Sequence, residues 1–208
     1  MADTILILAN SFKNGHWCVA GKSTATRQWV RLVGNPTGAA LTTAQTMYTN
    51  SFGPQRLRPL KKIVMDIGAP VPLINQPENF LAMPGWRQAH VKAFTPDQLH
   101  LYQDAPLDLW GDGDCVSDMD IQTGVIEIRQ SLYLIAVSNM RFHRNAHDKR
   151  RVSFAYNGQH YDLSSTCPSY DRCEEGTMVP NGYICVSLGE DYRGAHYKIV
   201  ASIFGAQA

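Results

Sequence analysis

The 208-residue chain has no long hydrophobic run. Its most apolar early stretch, Ile5-Leu6-Ile7-Leu8, stops at the polar Asn10, well short of the roughly 18 apolar residues a membrane helix needs. No basic segment precedes it, so it does not read as a secretory leader. The expectation is a soluble, cytoplasmic protein with no membrane partner. Cysteine is sparse and odd in number: Cys18, Cys115, Cys167, Cys173 and Cys185. No two form a CxxC pair, and no His follows Cys167 and Cys173 at finger spacing, so neither a zinc ribbon nor a disulfide framework is indicated. The thiols read as reduced and mostly buried. A GxSxG elbow, a phosphate loop and a dinucleotide fingerprint are all missing. Neither enzymatic activity nor any cofactor or metal is expected.

Net charge is also nearly absent, at +1, but it is unevenly placed. Residues 1–62 carry +7, residues 63–127 carry −8, residues 128–151 carry +5 and residues 152–208 carry −3. Such blocks predict separate positive and negative surfaces unless folding interleaves them.

What the chain does have is strand signal. Thr4–Asn10, His16–Gly21, Gln28–Gly34 ("QWVRLVG") and Lys61–Ile67 read as strands, followed by Gly124–Ile128, Ser131–Phe142, Arg151–Leu163, Tyr183–Leu188 and Ala195–Phe204. They are rich in Val, Ile and aromatics and bounded by Gly, Asn and Ser. Val152, Phe154 and Tyr156 alternate onto one face. Short strands at this spacing suggest small barrels or sandwiches. Helix signals are few. Thr95-Pro96-Asp97-Gln98 is a capping box with Pro at the first helical position, and the helix should end before Pro106. Thr42–Thr49 is a weaker candidate. Asp104–Asp120 holds six aspartates with Gly and Pro and reads as an exposed linker. Its Asp112-Gly113-Asp114 lacks the register and closing Glu of a calcium loop.

Chemistry-bearing residues fall in four places. Arg141, Arg144, Lys149, Arg150 and Arg151 lie in a segment joining two strong strands, so they should project on a hairpin loop suited to phosphates. A second basic cluster is Arg56, Arg58, Lys61 and Lys62. His143 and His147 are four apart, but no HExxH surrounds them and the segment reads as a hairpin tip, so metal binding there is a minor alternative. Trp29 and Arg31 share a strand face near Lys13, where they can hold a base and its phosphate, although core packing explains a Trp equally well. Gln76, Glu78 and Asn79 flank Pro77 and can read a base edge, or tie down a loop by bonding orphan backbone groups. In "LANSFKNGHWCVAG" (Leu8–Gly21), a turn at Lys13-Asn14-Gly15 brings polar residues near Cys18. A Cys18–His16 nucleophile pair is conceivable, but a half-buried Cys in a hairpin is commonly packing.

Taken together, "LANSFKNGHWCVAG", "WVRLV", "NQPENFL" and "SLGEDYRGAHYKIVASI" resemble, in order and spacing over essentially the whole chain, the prokaryotic dual OB-containing domain family. "YDLSSTCPSYD" (Tyr161–Asp171) resembles that family's LxxTDP segment, with Cys167 at the usual Asp. Leu32 stands where "WVRLV" usually has Pro. The resemblance implies a mainly β chain of two tandem small Greek-key (OB-like) barrels with one or two short helices. The first barrel would span residues 1–95, a short helix and acidic linker 96–123, and the second barrel 124–208. OB barrels bind single-stranded nucleic acid on strands 2 and 3 and in the L12 and L45 loops. On that reading Asn10, Ser11 and Lys13 rim the first groove, Trp29 and Arg31 lie beside it, and Tyr197 and Lys198 serve the second barrel. The function implied is non-enzymatic binding of single-stranded or structured DNA or RNA, with a prokaryotic defence role as one setting. The alternatives are a nucleotide or small-ligand sensor, a module that holds a partner protein and, last, a cysteine enzyme.

Overall fold

The computed structural model describes residues 2–13, 15–89 and 94–205; Asn14, in the first expected turn, lies outside them. Two compact units divide the chain, Met1–Gln98 and Leu99–Ala208. In the first unit the strands are β1 (Ala2–Lys13), β2 (His16–Ser23), β3 (Trp29–Val33), β4 (Met47–Asn50), β5 (Gly53–Arg56), β6 (Lys62–Pro70), β7 (Asn79–Ala82) and β8 (Arg87–Gln88). In the second they are β9 (Cys115–Ser117), β10 (Leu132–Arg144), β11 (Arg150–Tyr156), β12 (Gln159–Ser165), β13 (Met178–Asp191) and β14 (Ala195–Phe204), with one α-helix, α1 (Asp118–Gln122).

Each unit closes on itself as a five-stranded barrel. In the first, β1 pairs antiparallel with β2, β2 with β3, β3 runs parallel to β7, β7 pairs antiparallel with β6, and β6 returns to β1. In the second, β10, β11, β12, β14 and β13 repeat that circuit, including the parallel step from β12 to β14. Closure removes the open sheet edges that a five-stranded ribbon would expose. The one parallel step is the mark of the Greek-key OB arrangement expected above. The first barrel is filled by Ile5, Ile7, Val19, Val30, Leu32, Ile63 and Met65, with Trp17, Tyr48 and Trp86 closing its ends. The second is filled by Ile135, Val137, Phe142, Val152, Phe154, Tyr161, Ile184 and Val200, Phe154 stacking on Tyr161 at 5.5 Å.

Several local readings change. The segment read as one strand, Arg151–Leu163, is a hairpin. Asn157 (φ 48°) and Gly158 (φ 79°) make the primed turn that Asn-Gly favours. Gly124–Ile128 is not a strand. Gly124 (φ 75°) terminates α1, as Gly does past a helix end, and Ile128 packs into the core. Half of the Thr95 capping box forms: Gln98 Oε1 accepts from the Thr95 N–H at 3.2 Å, while the Thr95 hydroxyl donates to that same oxygen, and the helix it opens, Pro96–Tyr102, is of the 3₁₀ type. The second candidate shrinks to one 3₁₀ turn, Ala44–Thr46.

The acidic stretch Asp104–Asp120 is not an exposed linker but part of the second unit. Leu109 and Trp110 are buried, the Trp110 indole stacking on Tyr133 at 4.6 Å and donating to the Gln130 carbonyl at 2.9 Å. Tyr156 donates its hydroxyl to the Pro106 carbonyl at 2.7 Å, and the Leu109 N–H donates to the Tyr161 oxygen at 3.3 Å. Leu109, Trp110 and Val116 all join the core of the second unit, and β9 within the segment pairs with β14.

Burial raises the phenol pKa of Tyr156, Tyr161 and Tyr170 above the ordinary 10.0. The unfolded chain therefore begins to lose these protons at a pH where the folded chain keeps them. Stability is expected to be fully present below pH 10.0 and to fall as pH rises beyond it. Urea unfolding from pH 8 to 11 checks this. Tyr170→Phe should flatten the decline, and an unchanged slope would remove Tyr170 as a contributor.

Candidate nucleic-acid interface

In an OB barrel the groove lies over the outer face of strands 2 and 3, so the two units can be compared row by row. In the first, the outer rows are Leu6–Lys22–Trp29 and Ala9–Ala20–Arg31–Asn79. Every one of these side chains is buried. Trp29 is 6% exposed and lies under the Lys22 ammonium, 5.1 Å from its ring centroid. Arg31 is 6% exposed, with its Nε 3.7 Å from a Glu78 carboxylate oxygen. Neither offers a face to a base in this structure.

The "NQPEN" segment joins β6 to β7, the first barrel's L45 position. Gln76, Glu78 and Asn79 are all buried. Asn79 donates its amide to Gln76 Oε1 at 3.2 Å, and the Arg31 N–H donates to the Glu78 carbonyl at 2.9 Å. These bonds tie the loop to the parallel β3–β7 step and leave the three side chains buried rather than facing solvent. Asn10 is also buried, its amide donating to the Leu57 carbonyl at 2.8 Å, and so is Ser11. Lys13 is exposed at the tip of the β1–β2 hairpin. Beside it Phe12 meets Trp17 at 4.7 Å, and the Arg56 guanidinium covers Trp17 at 5.3 Å. Cys18 is half-buried in β2 opposite Ser11.

The second barrel presents the same face open. Its outer rows are Ser138–Ala155–His160, Arg141–Ser153–Asp162 and His143–Arg151–Ser164, none of them buried. The alternation that sends Val152, Phe154 and Tyr156 inward turns Arg151, Ser153 and Ala155 outward. Of the five cations expected on a projecting loop, Arg141 and Arg144 lie in β10 and Arg150 and Arg151 in β11, leaving Lys149 on the connection, and the charge is largely answered. Arg144 pairs with Glu175 at 2.7 Å, Asp148 at 3.3 Å and Asp171 at 3.5 Å. Arg150 pairs with Asp171. Arg151 faces Asp162 at 3.4 Å and Asp114 at 3.6 Å, and donates to Ser164 Oγ at 3.0 Å. Among the described residues, Arg141 and Lys149 have no ion-pair partner and are exposed. Folding has therefore interleaved the acids of residues 152–208 with this basic block, as the mixed-surface alternative allowed.

The β13–β14 hairpin, the second L45 position, turns at Arg193 (φ 57°) and Gly194 (φ 82°). It carries Tyr192, 57% exposed, and Tyr197, 40% exposed, with ring centroids 6.5 Å apart. The Arg193 guanidinium lies 5.2 Å from the Tyr192 ring. Tyr192 is one of the aromatics the sequence offers for stacking, whereas Arg193 is not singled out by it; the signal available was the Tyr-Arg-Gly turn between two strands. Lys198 takes no part here. It is 1% exposed, and its ammonium donates to the Gly111, Asp112 and Gly113 carbonyls at 2.6, 3.0 and 3.0 Å.

No helix among the described residues is long and apolar enough to cross a membrane. Comparison with curated proteins finds no match. Among solved structures, the chain is similar to that of the tetrameric p202 HIN2, at 8% identity over 96% of this chain and 88% of that chain, with a TM-score of 0.34; so distant a likeness carries no functional argument. The model of the dual OB-containing domain matches residues 3–203, and with two OB circuits closed in its two units the chain belongs to that family.

Proposed function

We propose that this protein is a non-enzymatic nucleic-acid-binding protein whose second barrel receives a single strand across β11 and β12. Arg141, Lys149 and Arg193 contact phosphates, and Tyr192 and Tyr197 stack on bases. The observation that carries the reading is the contrast between the two barrels: the outer β2–β3 face is buried, whereas the outer β11–β12 face is open, polar and basic at its rim. Exposed aromatic rings beside a cationic edge are the parts a sequence-tolerant single-strand site needs. Lys13 and Arg56, at the first barrel's hairpin tip, add positive charge to that unit without a stacking groove.

The test is fluorescence anisotropy with labelled single-stranded DNA, single-stranded RNA and duplex, at low and near-physiological salt. Single strands should be preferred, with affinity falling linearly in log salt at about 0.7 per phosphate neutralised. Tyr192→Ala and Tyr197→Ala should each weaken binding by roughly 1–3 kcal/mol. Arg141→Ala should lower the salt slope by about 1, while Arg151→Ala, whose cation is already held by Asp162, should leave it nearly unchanged. Absence of binding to all three at low salt would overturn the reading and direct attention to nucleotides or a protein partner.

A further inference from the structure

The base of the β13–β14 hairpin holds a second cluster that the nucleic-acid reading does not use. Asp118 opens α1, Asp191 ends β13, and His196 lies in β14 directly across from Asp191 in the strand register. One ligand atom from each lies within 4.8 Å of the others. The elements are also tied through the backbone, the Asp118 N–H donating to the Gly194 carbonyl at 2.9 Å. His196 is 3% exposed and its ring is oriented at both nitrogens. Nδ1 lies 2.9 Å from the Gly189 carbonyl, and Nε2 lies 2.9 Å from Asp118 Oδ1.

A carbonyl oxygen only accepts, so Nδ1 carries the proton in that bond. The neutral ring then turns the Nε2 lone pair toward a carboxylate oxygen, which also only accepts. Two lone pairs 2.9 Å apart repel unless a positive charge lies between or beside them. A proton shared between the ring and the carboxyl group relieves that repulsion, and so would a metal ion. Asp191, exposed, holds the hairpin turn by accepting the Gly194 N–H at 2.9 Å and brings a second carboxylate to the same point. The Nδ1–H to carbonyl bond is the usual means by which a ligating histidine is oriented.

We propose that Asp118, Asp191 and His196 form a divalent-metal site of the zinc type, with one imidazole and two carboxylates as protein ligands and a fourth position left to water. Imidazole with carboxylate suits Zn²⁺ among the available divalent ions, and three protein ligands with one open position is a recurrent zinc arrangement. The exposed Asp191 side leaves a path for a hydrated ion. Binding displaces the proton between Nε2 and Asp118 Oδ1 and staples the β13–β14 hairpin to α1. None of these three residues belongs to the set that contacts nucleic acid above.

The full chain, stripped with chelator and kept reduced with a non-thiol reductant, is titrated with Zn²⁺ by calorimetry and with Co²⁺ by visible spectroscopy. Asp191→Asn and His196→Gln are run alongside. The expected result is one tight equivalent of Zn²⁺ and a rise in melting temperature on loading. The Co²⁺ spectrum should lack the intense thiolate-to-metal band, because the five free cysteines are the competing ligands. Asp191→Asn should weaken binding about 10-fold or more while its metal-free melting temperature stays that of the wild type. Because Asp191 is exposed, that variant tests ligation even where His196→Gln fails to fold. No Zn²⁺ binding, a thiolate band, or affinity unchanged by Asp191→Asn would overturn the site and leave Asp118 and His196 as a proton-bridged pair.

Discussion

Replacing Gly21 by alanine is expected to prevent the first barrel from closing in its present form. Gly21 lies opposite Ile7 where β1 and β2 pair. A Cβ there would stand 2.2 Å from the Leu6 carbonyl oxygen and 2.7 Å from Ile5 Cγ2. The first obstacle is backbone inside a closed circuit of strands, so it cannot swing aside as a side-chain end would. Relief needs β1 to move away from β2, and β1 is also bonded to β6. The cost expected is about 3 kcal/mol or more, at the upper end for overpacking. For a unit of this size that corresponds to a fall in melting temperature of about 12 °C or more. Gly15→Ala is the control. Its φ of 81° strains an alanine, but no atom lies within 4 Å of the added carbon, so it should cost only about 1–2 kcal/mol. Calorimetry of both variants checks the claim. A loss at Gly21 no larger than that at Gly15 would show that β1 can give way and that its close approach does not demand glycine.

Lys198→Met is the second large effect. The Lys198 ammonium has three N–H donors, and the structure gives it three backbone carbonyls, those of Gly111, Asp112 and Gly113. Its stem reaches from β14 past Tyr161, whose ring centroid is 5.8 Å from Nζ. Burial pushes the ammonium pKa below the ordinary 10.5, which is the desolvation cost of placing a cation there. The charge-assisted bonds outweigh that cost, since each contributes about 1.5–3 kcal/mol when its acceptor has no better partner. Water can reach the exposed Asp112 and Gly113 and will replace part of what is lost. A net destabilisation of about 2–3 kcal/mol is therefore expected for the methionine, which keeps the stem's volume. Urea unfolding measures it, and hydrogen exchange should show faster exchange across residues 111–114 than elsewhere in the second unit. A variant as stable as the wild type would mean that burying the cation costs as much as its bonds return.

How far the sequence could be read depended on the range of the interaction concerned. The Thr95–Gln98 capping box was visible because both partners lie within one turn. The alternation of Val152, Phe154 and Tyr156 was visible because strand geometry is local. Asn157-Gly158 was an equally local signal and was passed over inside a continuous apolar pattern. In the acidic stretch six aspartates outweigh Leu109, Trp110 and Val116, and only the packed barrel reveals that those three are core. The basic loop misled in the opposite direction. Its cations were countable, but the carboxylates that answer them, Asp162, Asp171 and Glu175, arrive from other strands and loops.

By itself, then, the sequence determined the class of the protein: period-two apolar runs bounded by turn residues fill small barrels, and ordered motifs along the chain mark the family. Which barrel face stays open was decided only by the tertiary structure, since Trp29 and Arg31 carry the residue types of a binding site and are buried. The same holds for Lys198 and His196. A lysine or histidine in a strand looks alike whether it meets solvent, carbonyls or carboxylates. Its role is set by partners distant in sequence, Gly111 to Gly113 for the one and Asp118 for the other, which chain closure alone brings within bonding distance.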